Sequence, residues 1–208
     1  MGINIVGCGP GGLEYVTLAA CSAVKQADVV VGSPRMLAMF DLADKRSAQL
    51  PAQPPEAIEV IGQQLEFGEV AVLVSGDPGL FSLAQAVISH FGRDRCRVIP
   101  GISSVQAAFA AIGVDGSDAH VISAHGREPV ETAAQLADYS KLAVLAGTPQ
   151  AMRWVASLAD KLGPSYELFI CENLTLPDER VSSTTAEKLL SIEASSLTVL
   201  LLIRSDIL

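Results

Sequence analysis

Short apolar runs alternate with amphipathic stretches along most of the chain. A short continuous apolar run predicts a buried β-strand, and apolar residues that recur every three or four positions predict a helix. Because strands and helices alternate, the pattern predicts an α/β fold with mainly parallel sheets. The predicted strands are 3–6, 27–32, 69–74, 97–99, 120–123, 142–146, 167–171 and 197–203, and the predicted helices are 13–24, 34–40, 56–67, 81–91, 103–112, 130–139, 149–162 and 185–190.

A small polar stretch interrupts the alternation near the middle of the chain. Residues 113–118 read GVDGSD, and this density of glycine and aspartate is typical of a loop. We therefore predict two α/β domains, 1–114 and 115–208. A second polar stretch, 43–55, contains three prolines and is predicted to be mostly loop.

The composition argues against several classes of protein. Of the 208 residues, 50% are hydrophobic and 18% are charged, which is enough apolar material for packed cores and argues against disorder. The formal net charge is −9, whereas binding to nucleic acid depends on lysine and arginine that neutralise phosphates. We predict no nucleic-acid partner, and no membrane partner because a basic face for anionic lipid is also missing.

The cysteines Cys8, Cys21, Cys96 and Cys171 have neither Cys-x-x-Cys spacing nor the histidine neighbours of a zinc site. We predict unpaired, buried thiols and no metal site. The first residues lack the basic and apolar segments of a secretory leader. We therefore expect a cytoplasmic protein, a compartment in which thiols stay reduced.

A glycine-rich turn follows the first predicted strand. Gly7, Gly9 and Gly12 of VGCGPGG have the Gly-x-Gly-x-x-Gly spacing of dinucleotide-binding loops. Two features disagree with that interpretation. The second predicted strand ends at Gly32 instead of at an acidic residue, and Pro10 removes a backbone N–H from the turn. From this motif alone, a tight turn without a ligand and a binding loop of another kind both stay open.

Two further loops end strands of the same predicted sheet. The sequence SGDPGLFS, 75–82, follows the strand 69–74, and PGISS, 100–104, follows the strand 97–99. Parallel strands end at one edge of a sheet, where the ligands of open α/β folds bind. The three loops therefore predict a crevice for a polar ligand, with capping of a helix as the alternative role of the two serines in PGISS.

Together, the three loops resemble the motifs of the tetrapyrrole methylases, the S-adenosylmethionine-dependent enzymes of corrin and sirohaem synthesis. The family pattern of a VGxGPG-like start, S-G-D-P-x-x-F/Y-S and P-G-x-S-S matches 6–12, 75–82 and 100–104 in order, and the resemblance covers essentially the whole chain. Within the family, SAHGR at 123–127 and CENL at 171–174 resemble the branch that methylates carbon 5 of precorrin-7 or cobalt-precorrin-7.

This resemblance implies the tetrapyrrole methylase fold: two α/β domains with S-adenosylmethionine in a cleft between them, usually as a homodimer. It implies a C-methyltransferase that acts on a meso carbon of a corrin precursor in cobalamin biosynthesis. Longer enzymes of this branch carry a second, decarboxylating domain, so a separate decarboxylating C(15)-methyltransferase is expected as a partner. Whether the macrocycle carries cobalt stays open.

The resemblance also assigns roles to single residues. Asp77 is expected to help hold the cationic cofactor, or alternatively to bond the backbone of its own turn. Gly9 is expected to admit the substrate. Arg35 follows the second predicted strand and Arg127 follows the strand 120–123 and a glycine, and from these places both are expected to grip carboxylates of the implied substrate, with solvated surface charge as the alternative. His125 is the candidate acceptor for the proton lost after methylation, with a backbone or propionate contact as the alternative. The other cofactor positions are Pro10, Leu80, Ser103, Ser104, Leu145, Ala146, Glu172 and Asn173.

Two other functions stay open. One is methylation of another tetrapyrrole position, or of another substrate, by the same fold. The other is a Rossmann-type nucleotide-binding domain without catalysis, in which the loops are only turns. Binding of S-adenosylmethionine but not of NAD distinguishes the enzyme from the binding domain.

Overall fold

The structure is a computed structural model that describes residues 2–124, 126, 128–193 and 195–208. The chain divides into two compact units, 1–103 and 104–208, and each contains one five-stranded sheet. The strands are β1 Ile3–Gly7, β2 Val29–Gly32, β3 Arg46–Gln49, β4 Val70–Val74, β5 Cys96–Ile99, β6 His120–Ser123, β7 Lys141–Ala146, β8 Tyr166–Glu172, β9 Arg180–Thr184 and β10 Thr198–Arg204. The helices are α1 Leu18–Gln26, α2 Pro34–Leu37, α3 Pro54–Gln64, α4 Ala84–Phe91, α5 Ser104–Ile112, α6 Ala133–Leu136, α7 Pro149–Leu162 and α8 Ala186–Leu189, with 3-10 turns at Leu13–Tyr15, Leu65–Phe67, Arg93–Arg95, Gly163–Ser165 and Ser205–Ile207.

All strands of the first sheet are parallel, in the order β3-β2-β4-β1-β5. In its centre, Ile5 of β1 lies opposite Val72 of β4 and Val98 of β5. Continuous apolar runs form the central strands because helices cover both faces of a parallel sheet. The prediction of a parallel sheet is confirmed for this unit.

Alternate residues of the central strands belong to two cores, one on each face of the first sheet. Ile5 is in the core that contains Ile61 of α3 and Val87 of α4. Its neighbour Val6 is in the core that contains Ala20 of α1. This alternation follows from the two-residue period of a strand. Because both faces are covered, the ends of the central strands, where their loops emerge, are the places at which a ligand can approach them.

The second sheet has the order β6-β7-β10-β8-β9. Within it β6 and β7 are parallel, whereas β10 is antiparallel to β7 and β8, and β8 is antiparallel to β9. The prediction of mainly parallel sheets is therefore wrong for this unit. The last strand, β10, lies between two earlier strands and is buried over almost its whole length. Its apolar run predicts burial, but it carries no information about strand direction.

The division after residue 103 also differs from the predicted boundary between 114 and 115. Helix α5 lies between these two positions and packs against β10, which makes it part of the second unit. The polar stretch 113–118 thus connects α5 to β6 within that unit. A loop signal in the sequence marks the end of an element, whereas a domain boundary depends on what the element contacts.

Two edge strands lie where the sequence predicts none. β3 falls within the predicted loop 43–55, and β9 follows β8. Each of the two strands pairs with a neighbour on one side only, and most of its side chains are exposed. Polar edge strands lack the apolar run from which buried strands are predicted. The predicted helix 130–139 is shortened to α6, and the predicted helix 13–24 becomes a 3-10 turn followed by α1.

The four cysteines are unpaired, with Cys8 and Cys171 buried and the other two half-buried. The prediction of buried thiols is therefore confirmed for two of them. Within the described ranges, no helix combines the length and the apolar character that crossing a membrane requires.

Candidate functional site

The three loops that predict a crevice converge at the carboxyl edge of the first sheet. Strands β4, β1 and β5 are neighbours in that order, so the loops that follow them emerge side by side. The backbones of Gly9 and Gly76 exchange two hydrogen bonds, of 3.3 and 2.9 Å, and the N–H of Cys8 donates to the carbonyl of Val74 at 2.9 Å. This cluster, residues 7–10, 75–80 and 100–103, is referred to below as the loop junction.

Glycines in the loop junction are required by contacts between backbones. A Cβ atom on Gly7 would lie 2.6 Å from the nitrogen of Gly101 and 2.8 Å from the carbonyl oxygen of Gly76. A Cβ atom on Gly101 would lie closer still to the same oxygen. Real side chains do not tolerate such distances in a packed interior. These glycines therefore let three loops pack on one another, and the space beside them is filled by protein backbone.

Asp77 joins two of the loops through its carboxylate. One oxygen accepts from the N–H of Gly79 at 2.8 Å, and the other accepts from the N–H of Gly101 at 3.1 Å. The first bond is the turn contact that the sequence offers as the alternative to cofactor binding. The second reaches a residue 24 positions away. Asp77 thus holds the loop junction together and places an acidic group at this edge of the sheet.

The glycine turn does not open directly into a helix. The 3-10 turn Leu13–Tyr15 follows it, and α1 begins only at Leu18, where the hydroxyl of Thr17 accepts from the N–H of Ala20 at 3.1 Å. Dinucleotide-binding loops lead into the N-terminus of a helix, whose N–H groups bind the pyrophosphate. The geometry therefore argues against the dinucleotide alternative.

The other cofactor positions expected in this part of the chain lie in the loop junction or directly after it. Pro10 is buried immediately after the glycine turn. The N–H of Leu80 donates to the carbonyl of Asp77 at 3.1 Å, and the Leu80 side chain is half-buried. Ser103 is buried at the end of the third loop, and Ser104 is the first residue of α5. The fold thus brings Pro10, Leu80 and Ser103 to one edge of the first sheet.

Arg35 reaches the loop junction from helix α2. Its guanidinium donates to the hydroxyl of Ser75 at 3.1 Å, and the side chain is exposed. Burial raises the pKa of the Cys8 thiol to about 12, and the positive charge of Arg35 opposes this rise. Arg35 therefore lies beside two of the three loops. A cation in this position is suited to bind an anionic group of a ligand.

In the second unit, the expected cofactor residues also meet at one edge of the sheet. Because β10 is antiparallel to β7 and β8, its first residue lies beside their last residues. Thr198 is paired with Ala146 on one side and with Glu172 on the other. Leu145 precedes Ala146 on β7 and is half-buried, and Asn173 directly follows β8.

A polar network ties Glu172 and Asn173 to the segment before β10. Glu172 is only 3% exposed, and its carboxylate accepts from the N–H of Ser195 at 3.3 Å and pairs with the guanidinium of Arg180 at 2.9 Å. The side chain of Asn173 accepts from the hydroxyl of Ser195 at 2.6 Å and donates to Asp178 at 2.7 Å. Its φ of +52° is one that asparagine adopts more readily than most residues. Both side chains thus hold the backbone at this edge in place.

Two expected site residues lie outside the described residues, the catalytic candidate His125 and the substrate candidate Arg127. Their described neighbour Ala124 donates its N–H to the carbonyl of Leu145 at 3.0 Å. The roles of His125 and Arg127 stay predictions.

A comparison with known families covers most of the chain. The family described as Tetrapyrrole (Corrin/Porphyrin) Methylases matches residues 2–190. The chain belongs to the tetrapyrrole methylase family. Its members act as S-adenosylmethionine-dependent C-methyltransferases, so the family and the class of enzyme predicted from the sequence are confirmed.

Curated relatives of this tetrapyrrole methylase carry closely related names. The cobalt-precorrin-7 C(5)-methyltransferase of Salmonella typhimurium is 33% identical over 86% of this chain and 88% of its own. The probable cobalt-precorrin-7 C(5)-methyltransferase of Methanocaldococcus jannaschii is 30% identical over 95% of each chain. The decarboxylating precorrin-6Y C(5,15)-methyltransferase of Mycobacterium tuberculosis is 32% identical over 88% of this chain but over 46% of its own length.

Solved structures of related methylases have the same fold. The precorrin-6Y methylase of Archaeoglobus fulgidus is 29% identical, with a TM-score of 0.75 and coverage of 98% of each chain. A uroporphyrin-III C-methyltransferase of Thermus thermophilus, solved in complex with S-adenyl homocysteine, is 23% identical, with a TM-score of 0.77 and coverage of 98% of this chain and 97% of its own. The predicted tetrapyrrole methylase fold is thereby confirmed.

Sequence reasoning does not single out several residues at these two edges of the methylase. Ser75 and Phe81 belong to the SGDPGLFS motif, which is the signal by which they can be found. Ser195 and Arg180 lie in no motif that carries the resemblance. Their contacts with Glu172 form only when the second sheet assembles, because the three residues lie on separate segments of the chain.

Proposed function

We propose that this tetrapyrrole methylase uses S-adenosylmethionine to methylate carbon 5 of precorrin-7 or cobalt-precorrin-7 in cobalamin biosynthesis. The observation that carries the proposal is the likeness to two relatives named for this reaction, which are 33% and 30% identical over 86% and 95% of the chain. The geometry of the glycine turn supports it as well, because that turn lacks the adjoining helix of a dinucleotide site.

The chemistry of the loop junction supports its proposed role in binding S-adenosylmethionine. When bound, this cofactor supplies an electrophilic methyl group on a positively charged sulfur. Asp77 places an acidic group at the sheet edge, and an opposite charge in a half-buried position favours a cation. Leu80, which is half-buried, adds apolar surface, and Pro10 and Ser103 are proposed as further cofactor contacts. The residues of the second unit that we propose as further cofactor contacts are Ser104, Leu145, Ala146, Glu172 and Asn173.

Several of these residues act chiefly by positioning. Both carboxylate oxygens of Asp77 already accept backbone N–H groups, and Glu172 is bonded to Ser195 and Arg180. Methyl transfer to an electron-rich carbon depends mainly on alignment and on the exclusion of water. Side chains that fix the backbone around a binding edge contribute directly to such alignment.

The proposed substrate carries several carboxylates, which calls for cations near its binding surface. Arg35 supplies one beside the loop junction, and Arg127 is proposed as a second. Gly9, whose backbone pairs with that of Gly76 in the loop junction, is proposed to admit the substrate. His125 is proposed to accept the proton that leaves the methylated carbon.

We further propose a homodimer in the cytoplasm that works with a separate decarboxylating C(15)-methyltransferase. The Mycobacterium tuberculosis relative supports this partner, because its name joins methylation at two carbons with decarboxylation and this chain matches 46% of it. Size-exclusion chromatography with light scattering tests the dimer, and a monomer at working concentration would contradict it.

Two measurements test the proposed function. Calorimetric titration is expected to detect binding of S-adenosylhomocysteine and none of NAD. Incubation with ¹³C-methyl-labelled S-adenosylmethionine and precorrin-7 or cobalt-precorrin-7 is expected to place the label on carbon 5, as read by NMR. A label on another carbon would refute the assigned position, and failure to bind S-adenosylhomocysteine would refute the methyltransferase assignment altogether.

A further inference from the structure

A cavity of about 430 Å³ lies at the carboxyl ends of β2, β3 and β4, beside the loop junction. Its wall is mostly apolar and includes Met36 of α2, Leu50 after β3, Leu73 of β4 and the ring of Phe81. Cavities of about 300–1,000 Å³ with apolar walls and a few polar groups are typical of sites for small molecules. None of the cofactor or substrate residues assigned above is among the described residues that line it.

Phe81 has a backbone conformation that aromatic residues rarely adopt. Its φ is +47°, in the left-handed region, and its side chain is 60% exposed. Bulky residues in this region are strained, and such strain is often kept where it serves function. Because the ring is mostly exposed, burial in a core does not offset the strain. The exposed ring is therefore available to stack on a ligand.

Hydrogen bonds on both sides of Phe81 hold the strained backbone. Before it, the N–H of Leu80 donates to the carbonyl of Asp77 at 3.1 Å. After it, the hydroxyl of Ser82 donates to the carbonyl of Pro78 at 2.6 Å and accepts from the N–H of Ala84 at 3.1 Å. The loop is thus held by hydrogen bonds on either side of Phe81, whose side chain is exposed.

Ser75 connects this cavity to a positive charge. It lines the cavity, and its hydroxyl accepts from the guanidinium of Arg35 at 3.1 Å. The surface therefore combines an exposed aromatic ring, an apolar wall and an arginine at the rim. A flat conjugated ring with carboxylates on its periphery is complementary to this combination, since aromatic rings stack and arginine pairs with carboxylates.

We propose that the ring of Phe81 binds the substrate by stacking on one edge of the tetrapyrrole. The apolar substituents of that edge occupy the cavity, and a carboxylate on the periphery of the macrocycle pairs with Arg35. This inference rests on the proposed function and extends it, because it assigns part of the macrocycle to β2, β3 and β4. Phe81 acts on substrate affinity in this proposal, and the cofactor is held by other residues.

The test compares the wild-type enzyme with Phe81→Leu, Phe81→Tyr and Phe81→Gly. Phe67→Leu is the matched control, because Phe67 is a half-exposed aromatic residue of the same unit that lies just before β4, at the opposite edge of the sheet. For each protein we would measure KM and kcat with whichever of precorrin-7 and cobalt-precorrin-7 the wild type methylates, the Kd of S-adenosylhomocysteine by calorimetry, and the thermal midpoint.

Phe81→Leu is expected to raise KM about 3- to 10-fold, the range of an aromatic stacking contact, and to leave the Kd of S-adenosylhomocysteine within about twofold. Phe81→Tyr is expected to keep the wild-type KM. Phe81→Gly is expected to raise KM at least as much without lowering the thermal midpoint, because glycine adopts a positive φ without strain.

An unchanged KM in Phe81→Leu, or an equal rise in Phe67→Leu, would overturn the role of Phe81 and leave the proposed function standing. A rise in the Kd of S-adenosylhomocysteine that matches the rise in KM would also overturn it, because Phe81 would then act on the cofactor. If the wild type methylated neither substrate, the proposed function would fail first, and this inference with it.

Discussion

Replacing Asp77 by alanine removes the carboxylate that joins two loops of the loop junction. The bonds lost are the one from the N–H of Gly79, at 2.8 Å, and the one from the N–H of Gly101, at 3.1 Å. Gly79 is exposed, so its N–H can bond to water instead. Gly101 is half-buried and packs against Gly7 and Gly76, so its N–H is the group that loses its partner.

The expected magnitude follows from this difference. A hydrogen bond to a charged group contributes about 1.5–3 kcal/mol, and a donor left without a partner costs about 1–3 kcal/mol. Since the exposed N–H of Gly79 is hydrated again, we expect Asp77→Ala to lower the free energy of unfolding by about 2 kcal/mol. The third loop then loses its tie to the second, and we expect the Kd of S-adenosylhomocysteine to rise about tenfold.

Urea unfolding and isothermal titration calorimetry measure the two effects. Asp28→Ala is the matched control, because the carboxylate of Asp28 accepts from the N–H of Glu69 at 2.7 Å at the opposite edge of the same sheet. It is expected to lower stability without changing the Kd. Wild-type stability in Asp77→Ala would refute the reasoning, because the bond to Gly101 would then contribute nothing. Reduced stability with a wild-type Kd would show that the loop position does not govern cofactor binding.

Three other substitutions test the remaining features of the two edges. Gly101→Ala is expected to cost about 3 kcal/mol of unfolding free energy in urea, because its Cβ would meet backbone atoms. Gly62→Ala in α3 is the control and should cost nothing, because its Cβ would meet only the ring of Phe91, at an ordinary contact distance of 3.9 Å. Equal losses in the two variants would contradict this account. Glu172→Gln is expected to lower the unfolding free energy by about 1–2 kcal/mol in the same assay, because it weakens the bonds of this side chain to Ser195 and Arg180. Glu167→Gln is the control, because Glu167 is exposed on the same strand and its substitution should leave stability unchanged. Burial raises the pKa of the Cys8 thiol from 9.0 to about 12, so the unfolded chain loses this proton first. The contribution of this thiol to the free energy of unfolding is therefore complete below pH 9, and it falls between pH 9 and pH 12 by up to about 1.4 kcal/mol per pH unit. Cys8→Ala should reduce this dependence of the unfolding free energy on pH. The same dependence in the wild type and in Cys8→Ala would contradict the prediction.

Burial decides which elements the sequence predicts well. The strands β1, β4 and β10 are buried apolar runs and are predicted close to their observed bounds. Helix α7 is predicted at its observed bounds, where Pro149 occupies the first turn and the hydroxyl of Thr148 accepts from the N–H of Ala151 at 3.2 Å. The edge strands β3 and β9 are not predicted, because they bury little and owe their form to one neighbouring strand each.

The candidate site likewise has parts that the local sequence predicts and parts that depend on contacts between distant segments. The glycine turn, SGDPGLFS and PGISS are local sequences, and their common sheet edge follows from the rule that parallel strands end together. Arg35 is predicted from its place after a strand. The partner of Asp77 in the third loop, the network of Ser195 and the cavity beside Phe81 are not predictable in this way, because each depends on segments that are distant in the chain.

By itself, the sequence determined the α/β class, the buried strands, the three loops at one sheet edge and the family to which they belong. The class, the strands and the loops follow from apolar periodicity and turn residues, which act over a few neighbouring positions, and the family follows from the resemblance of the three loop motifs. Only the tertiary structure decided that β10 lies antiparallel between β7 and β8, that α5 belongs to the second unit, and that Phe81 adopts a positive φ beside a cavity. Strand direction, unit boundaries and strain are set by contacts between distant segments, and those contacts exist only once the chain has folded.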